Sequence, residues 1–354
     1  MRIPYNFNKG HNMKNKIFAL FILIAFLFSA CSPVTENKAE EISNVKDGFL
    51  EVHFIDVGQG DAILIKGEDT SMLIDAGTGE NGVKITEYAK SLGIEKLDYF
   101  VGTHPHDDHL GSGAAVVRNL LPDTVFMNEE VSTAYFYEKL LDSLIENDIS
   151  VTVPDIGCVY RREDFEFKFI SPTIDFEDTN NNSLILMVKH NNIKMLFMAD
   201  AEKRVEEELL KSNIDLSAQL LKVGHHGSRY GSNYNFLKAV NPTVAVIQSE
   251  KGNSYGHPHK ETLERLENSG INILRCDEKG NIVIKSDGNK IYYNNEELIK
   301  SENLSTITYI ANRKSGKFHA DWCKNLPDKK NSVYLKSREE AILRGYLPCG
   351  GCNP

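Results

Sequence analysis

The chain alternates short apolar runs with amphipathic stretches over most of its length. Leu50-Glu51-Val52-His53-Phe54-Ile55-Asp56 predicts a strand, and Val57-Gly58-Gln59-Gly60-Asp61 after it is too glycine-rich for either regular element. Ala62–Lys66 and Ser71–Ile74 predict two more strands, the second ending at Asp75-Ala76-Gly77. Val83–Leu92 has helical spacing, and Tyr99–Thr103 predicts a further strand. Strands are also expected at Thr124–Met127, Phe165–Ile170, Ser183–Lys189, Lys194–Met198, Thr243–Ile247, Ile271–Leu274 and Asn281–Ile284. Helical patterns fall between them at Ala134–Glu146, Glu202–Leu210, Tyr234–Val240 and Lys260–Ser269. Mixed elements of this kind fit an α/β sandwich with chemistry on the loops at the strand ends.

The N-terminus follows a different pattern. Lys14 and Lys16 precede an apolar core from Ile17 to Phe28, about a dozen residues, which is the length of a signal core and short for a bilayer span. It ends in Leu27-Phe28-Ser29-Ala30-Cys31, which resembles the bacterial lipobox. The resemblance implies cleavage before Cys31, lipidation of that cysteine and an exported, membrane-anchored protein. Residues 1–30 thus read as a lipoprotein signal and 31–48 as a flexible, polar and acidic tether. No other run has membrane-spanning length, which excludes a multi-span channel or transporter.

Composition narrows the class. Hydrophobic residues at 41% and charged residues at 25% are those of a globular protein, and six cysteines in 354 residues are too few for a disulfide scaffold. At roughly 150 residues per domain the length suits two domains and a small third piece. The net charge of −10 becomes −14 without residues 1–30, which carry four basic residues and no acid. Residues 307–354 hold nine Lys/Arg against four Asp/Glu, a net of +5, so residues 31–306 carry −19. An acidic body thus bears a basic tail.

The chemistry is concentrated after the strand Tyr99–Thr103, in His104-Pro105-His106-Asp107-Asp108-His109. Three imidazoles and two carboxylates within six positions are costly to bury without a compensating ion. His-x-His aimed at one point chelates a borderline divalent ion, and Asp-His two residues on serves a second. Two ions roughly 3.5–4 Å apart would bridge a hydroxide and polarise a phosphoryl or carbonyl oxygen.

This motif, preceded by Leu-Ile-Asp75-Ala-Gly, resembles the metallo-β-lactamase superfamily, which implies a four-layer αβ/βα sandwich. Asp56-Val-Gly-Gln-Gly-Asp61, Asp200-Ala201, Val223-Gly224-His225-His226-Gly227-Ser228 and Tyr255-Gly256-His257-Pro258-His259 resemble, more narrowly, the hydrolase domain of ComEC-type competence proteins, which import DNA. The resemblance covers about residues 49–288, and the hydrolase domain is expected over 49–300. It implies that His104 and His106 serve the first ion, Asp108 and His109 the second, that Asp200 bridges both, and that His225 closes the second site. Asp75, Asp56, Ser228 and His259 are expected around these ligands, with Asp75 orienting the loop. Asp108, His226 and His257 are the expected catalytic groups, the histidines stabilising phosphoryl oxygens or protonating a leaving group. The first site lacks the third histidine usual in the superfamily. The only histidine between His109 and Asp200 is His190, which is expected to be exposed. One ion or two, zinc or manganese, stays open.

The tail contains His319-x3-Cys323 and Cys349-x2-Cys352, separated by 25 residues. Three thiols and an imidazole suit one tetrahedral structural Zn²⁺, with two disulfides as the alternative. Ser337–Gly345 predicts an N-capped helix ended by glycine. The segment resembles the metal-binding domain of Ada-type DNA-repair proteins, with His319 where that family has its methyl-accepting cysteine, so methyl transfer is not expected. Cys158 and Cys276 carry no motif and are expected to be buried.

The expected function is therefore an extracytoplasmic, lipid-anchored phosphodiesterase or nuclease with DNA as substrate. Two alternatives stand beside it. One is a hydrolase of a small phosphodiester, cyclic nucleotide or lactone, which the acidic body suits. The other is a non-catalytic, surface DNA-binding accessory.

Overall fold

The computed structural model describes residues 48–299, 309–320, 323–335, 338–352 and 354. The expected signal segment, Cys31 and all of the tether but Gly48 lie outside the described residues, as does Ser337. The first sheet opens with β1 (Leu50–Phe54), β2 (Ile63–Lys66), β3 (Ser71–Ile74), β4 (Tyr99–Gly102), β5 (Thr124–Met127) and β6 (Val151–Thr152). The second contains β7 (Val159–Arg161), β8 (Glu166–Phe169), β9 (Leu186–His190), β10 (Ile193–Phe197), β11 (Leu220–Lys222), β12 (Val244–Ile247) and β13 (Asn272–Arg275). The chain then returns to the first sheet with β14 (Ile282–Ser286), β15 (Ile291–Tyr293) and β16 (Glu296–Glu297), and β14 pairs antiparallel with β1.

Helices α1 (Gly82–Ser91), α2 (Asp107–Leu110), α3 (Gly113–Leu120) and α4 (Tyr135–Glu146) follow strands of the first sheet. Ile85, Val116 and Leu140 of α1, α3 and α4 pack on Leu73, Phe100 and Val125. Helices α5 (Lys203–Lys211), α6 (Tyr234–Val240) and α7 (Lys260–Asn268) cover the second sheet, where Val205, Phe236 and Leu266 meet Leu196, Leu221 and Ala245. Between the sheets lies a third layer of contact built from Phe54, Ile63, Val101, Phe126, Phe167, Val188, Phe197 and Val244. Strands apolar on both faces need cover on both sides, and β4 is buried along its whole length. The result is the expected four-layer αβ/βα order.

Residues after 308 form a separate sheet of β17 (Tyr309–Asn312), β18 (Lys317–His319), β19 (Ser332–Leu335) and β20 (Leu347–Pro348), joined by the helix Arg338–Leu343. Among the described residues its core cluster is Ala311, Phe318, Leu335 and Ala341, little to stabilise a fold unaided.

Most predicted elements shift by one or two residues at their ends. Strand β11 was not expected, because a lysine ends its short apolar run. His190 differs from expectation. Strand β9 continues through it, and the ring is buried with Nδ1 2.9 Å from Ser286 Oγ. Cys276 is buried, whereas Cys158 is half-buried. Among the described residues no helix is long and apolar enough to cross a membrane.

Candidate metal centre

The loops at one end of the sandwich converge because their backbones are tied together. After β1, Gly60 (φ 142°) has no room for a side chain, since a Cβ there would lie 2.3 Å from the Asp108 carbonyl oxygen. That approach lets the Asp61 N–H donate to the same oxygen at 3.0 Å. After β3, Asp75 adopts a left-handed backbone. Its carboxylate accepts the Thr103 N–H at 2.8 Å, the Thr103 hydroxyl at 2.7 Å and His109 Nδ1 at 2.8 Å. The turn after β11 is equally constrained. A Cβ on Gly224 would meet the Ala201 carbonyl at 2.3 Å, and the His225 N–H donates to Ala199 at 2.9 Å. His225 and His226 both take left-handed conformations, φ 44° and 50°, which are strained for non-glycine residues.

These constraints gather the nitrogen and oxygen donors around Asp200. Its Oδ1 lies 3.3 Å from His109 Nε2 and 3.5 Å from His226 Nε2, and Asp108 Oδ2 lies 3.3 Å from His226 Nε2. Its Oδ2 lies 3.8 Å from His104 Nε2 and 3.7 Å from His225 Nε2. His104 Nε2 and His106 Nδ1 are 3.1 Å apart. Asp108, His109, Asp200 and His226 bring their donor atoms within 4.8 Å of one another, as do Asp61, Asp75 and His109 behind them, where Asp75 and Asp61 are already engaged by hydrogen bonds and by Lys222. The sequence reading placed His225 in the first of these sets and His226 among the catalytic groups. Two successive left-handed residues instead direct the adjacent rings to different oxygens of Asp200, with His226 fully buried and His225 half-buried.

The ring tautomers test whether a cation fits. His109 donates Nδ1–H to Asp75 and His226 donates Nδ1–H to the Gln248 carbonyl at 3.0 Å, which leaves each Nε2 to take a proton or a metal. His225 Nδ1 likewise donates to Glu202 Oε1 at 2.8 Å. Among the described residues eight buried side-chain polar atoms lack a hydrogen-bond partner. Six belong to Asp61, His109, Asn180, Asp200, His226 and His257, so the unmet polar capacity of the fold is concentrated here. Burial opposes charge on His226, but Asp200 and Asp61 outweigh it and push its pKa up to about 10. Burial likewise opposes charge on His109, yet Asp200 and Asp75 hold it well above the ordinary imidazole value. His104 goes the other way, held well below the ordinary imidazole value by burial and by neighbouring His109. The field that draws protons onto His109 and His226 attracts a divalent cation as well, and the two compete for Nε2. The donor set fits Zn²⁺ or Mn²⁺.

A pocket of about 410 Å³ opens over this cluster, lined by His106, Asp108, Asp200, His225, His226 and His257 among others. His257 is half-buried, and burial together with the charges of His225 and His226 pushes its pKa down to about 4. Ser228 Oγ donates to Glu202 Oε1 at 2.8 Å, and His259 Nδ1 accepts the Arg229 N–H at 3.2 Å, so both buttress the His225 turn. Asp56 accepts the Gly58 N–H at 3.2 Å and does not line the pocket. Sequence reasoning missed Lys222, whose Nζ is 2.6 Å from Asp61 Oδ2, and Glu202 and Gln248, which fix the tautomers of the paired histidines.

In the C-terminal sheet His319, Cys323, Cys349 and Cys352 bring one ligand atom each within 4.8 Å. The Asn325 and Gly351 N–H groups donate to Cys323 Sγ and Cys349 Sγ, each at 3.4 Å, an arrangement that favours thiolates. The three cysteines are unbridged, so the two-disulfide alternative is not formed.

Sandwich, loop cluster and donor set define a metal-dependent hydrolase. Residues 55–249 match the metallo-β-lactamase superfamily, and the chain belongs to it. It is 29% identical over 256 residues to ComE operon protein 3 of Bacillus subtilis, covering 66% of this chain and 32% of that one. It is 28% identical over 271 residues to competence protein ComA of Neisseria gonorrhoeae, covering 74% and 34%. The match thus spans about a third of the length of these relatives. Among solved structures, the metallo-β-lactamase fold protein YhfI of Bacillus subtilis aligns with TM-score 0.48 and 11% identity over 68% of this chain and all of that one.

Proposed function

We propose that this chain is a phosphodiesterase that cleaves DNA outside the cytoplasm, anchored to the membrane through lipid on Cys31. The observation that carries the hydrolytic part is the group of imidazoles with assigned Nδ1 protons whose Nε2 atoms face both oxygens of Asp200 beneath an open pocket. His104, His106 and Asp200 would hold one divalent ion, and Asp108, His109, His226 and Asp200 a second. His225, the residue that Glu202 orients, supplies the first ion with the histidine it otherwise lacks. Ions held there would supply Lewis acidity toward a phosphoryl oxygen and would lower the pKa of water. Asp108 stands at the pocket floor to orient the attacking group. His257, half-buried at the pocket wall, is placed to exchange a proton with the leaving oxygen. The DNA part rests on the competence relatives and on the basic residues 307–354, which we assign to a zinc-bound module beside the hydrolase unit of residues 49–300.

A small phosphodiester, cyclic nucleotide or lactone is the competing substrate class, favoured by the −19 charge of residues 31–306, which repels a long phosphate chain. The deciding experiment strips the purified protein of metal, reloads it with Mn²⁺ or Zn²⁺, and assays end-labelled single-stranded DNA beside Asp108→Ala. Cutting that depends on metal and disappears in the variant is the expected result. A metal-loaded protein that leaves DNA intact but turns over a lactone or cyclic nucleotide would replace this reading with the second.

A further inference from the structure

We infer that the metal pocket is the middle of an open-ended trough that holds a single nucleic-acid strand across its length, so that the strand is cut internally. The inference deepens the phosphodiesterase reading and rests on it. Two further cavities, each of about 560 Å³, flank the metal pocket. One lies between α5, the Arg229–Gly231 turn and the zinc module, and Gly350, Gly351 and Cys352 form part of its wall. It meets the metal pocket at the neighbouring residues Asn180 and Asn181 and at the His225–Glu202 hydrogen bond. The other, lined by Lys251, Asn253 and Arg275, shares His257 with the metal pocket. A small diester fills one cavity and has no use for the other two, whereas a polymer occupies all three.

The side chains along this line suit a strand with flat bases. Tyr230 stands 66% exposed in the cavity under the module, and Tyr255 stands 64% exposed on the other side of the centre. Neither ring is needed for the core, and the Tyr255 ring stacks on His257 with centroids 5.8 Å apart. Exposed aromatic rings on both sides of a cleavage centre are base-stacking platforms, which hold single strands with little regard to sequence. Lys203, Arg204, Arg229 and Arg265 line the same side as Tyr230 beside Glu202 and Glu207, with Lys203 paired to Glu207 at 3.6 Å and Arg229 to Glu261 at 3.4 Å, so four basic groups face this cavity against two acidic ones despite the acidic body. The C-terminal module therefore serves as one wall of the substrate site, and a metal held by Cys349 and Cys352 would fix the Gly350-Gly351 edge between them.

Two measurements test this on the intact protein. The first offers a covalently closed single-stranded DNA circle beside a linear strand labelled at either end. The trough predicts that the circle is opened at a rate comparable to internal cuts in the linear strand. Loss of nucleotides only from the ends of the linear strand, with the circle intact, would overturn it. The second measures binding of fluorescent oligothymidylates of increasing length to the metal-loaded Asp108→Ala protein, so it does not depend on cleavage and the zinc module keeps its metal. Affinity is expected to rise with length until the trough is filled, with Tyr230→Ala and Tyr255→Ala each weakening the longest oligomer roughly tenfold. Affinity independent of length, or unchanged in both folded variants, would overturn the trough while leaving the phosphodiesterase reading intact. Length-dependent binding without cleavage of either DNA would keep the trough and remove that reading.

Discussion

Lys222 and Asp61 form an ion pair of 2.6 Å in which both side chains are fully buried beneath the metal pocket. Asp61 Oδ1 also lies 3.3 Å from His226 Nδ1, so the pair reaches one of the rings that faces Asp200. Removing one member leaves an uncompensated charge in the interior, at a cost of about 3–5 kcal/mol. Lys222→Met and Asp61→Asn are each expected to destabilise by that order. The double variant is expected to be less destabilised than the sum of the two. Urea denaturation of the four proteins checks this, and additive losses would mean the charges do not compensate each other.

The division of His225 and His226 between the oxygens of Asp200 predicts a metal count. Protein loaded with Mn²⁺ and desalted should hold two ions in the hydrolase site. His225→Gly, which suits the left-handed backbone, should lose the ion shared with His104 and His106. His226→Gly should lose the ion shared with Asp108 and His109, and the double variant should lose both. Glu202→Gln should keep both ions with the first bound some 10–100-fold more weakly. Elemental analysis and isothermal titration give these numbers without reference to activity.

Among the described residues the C-terminal sheet has a core cluster of four buried side chains, so its fold is expected to depend on the Cys/His cluster. Cys349→Ser should lower the zinc content by one ion per chain and expose residues after 308 to limited proteolysis. The two-sheet body should stay resistant, because its three apolar clusters share no residue with the small core. Proteolysis that degrades the body at the same rate would show that the parts fold as one unit.

The layer order and most of the pocket were legible because the strands are continuous apolar runs and the ligand types cluster tightly, as in His104–His109. Their second partners were not. Which of two adjacent histidines faces a given oxygen of Asp200 depends on backbone angles at His225 and His226, and a His-His dipeptide carries no trace of those angles. Lys222 and Glu202 were illegible for a related reason. A single charged residue in a mixed segment reads as a solvated face, and only the tertiary approach of Asp61 and His225 reveals its partner. His190 is buried against expectation because the apolar run before it stops at Val188 while the strand continues through His190, whose ring meets the buried hydroxyl of Ser286.

Glu206 gives a prediction for pH. It is buried on α5, where it accepts the N–H groups of Ser232 and Asn233, the latter at 3.0 Å. Burial outweighs these donors and nearby Arg265, and raises its pKa from the ordinary 4.5 to about 7. Between those values the folded chain keeps a proton that the unfolded chain has released. The contribution is therefore fully present below about pH 4.5 and is lost as the pH rises through about 7, a swing on the order of 3 kcal/mol. The difference in unfolding free energy between the native protein and Glu206→Gln, measured from pH 4.5 to 8, should shrink steadily in that direction. Subtracting the variant removes the titrations the two proteins share. A difference that grows with pH would mean that the N–H groups of Ser232 and Asn233 and nearby Arg265 keep the carboxylate ionised, and that the turn at Ser232 is anchored by a buried charge.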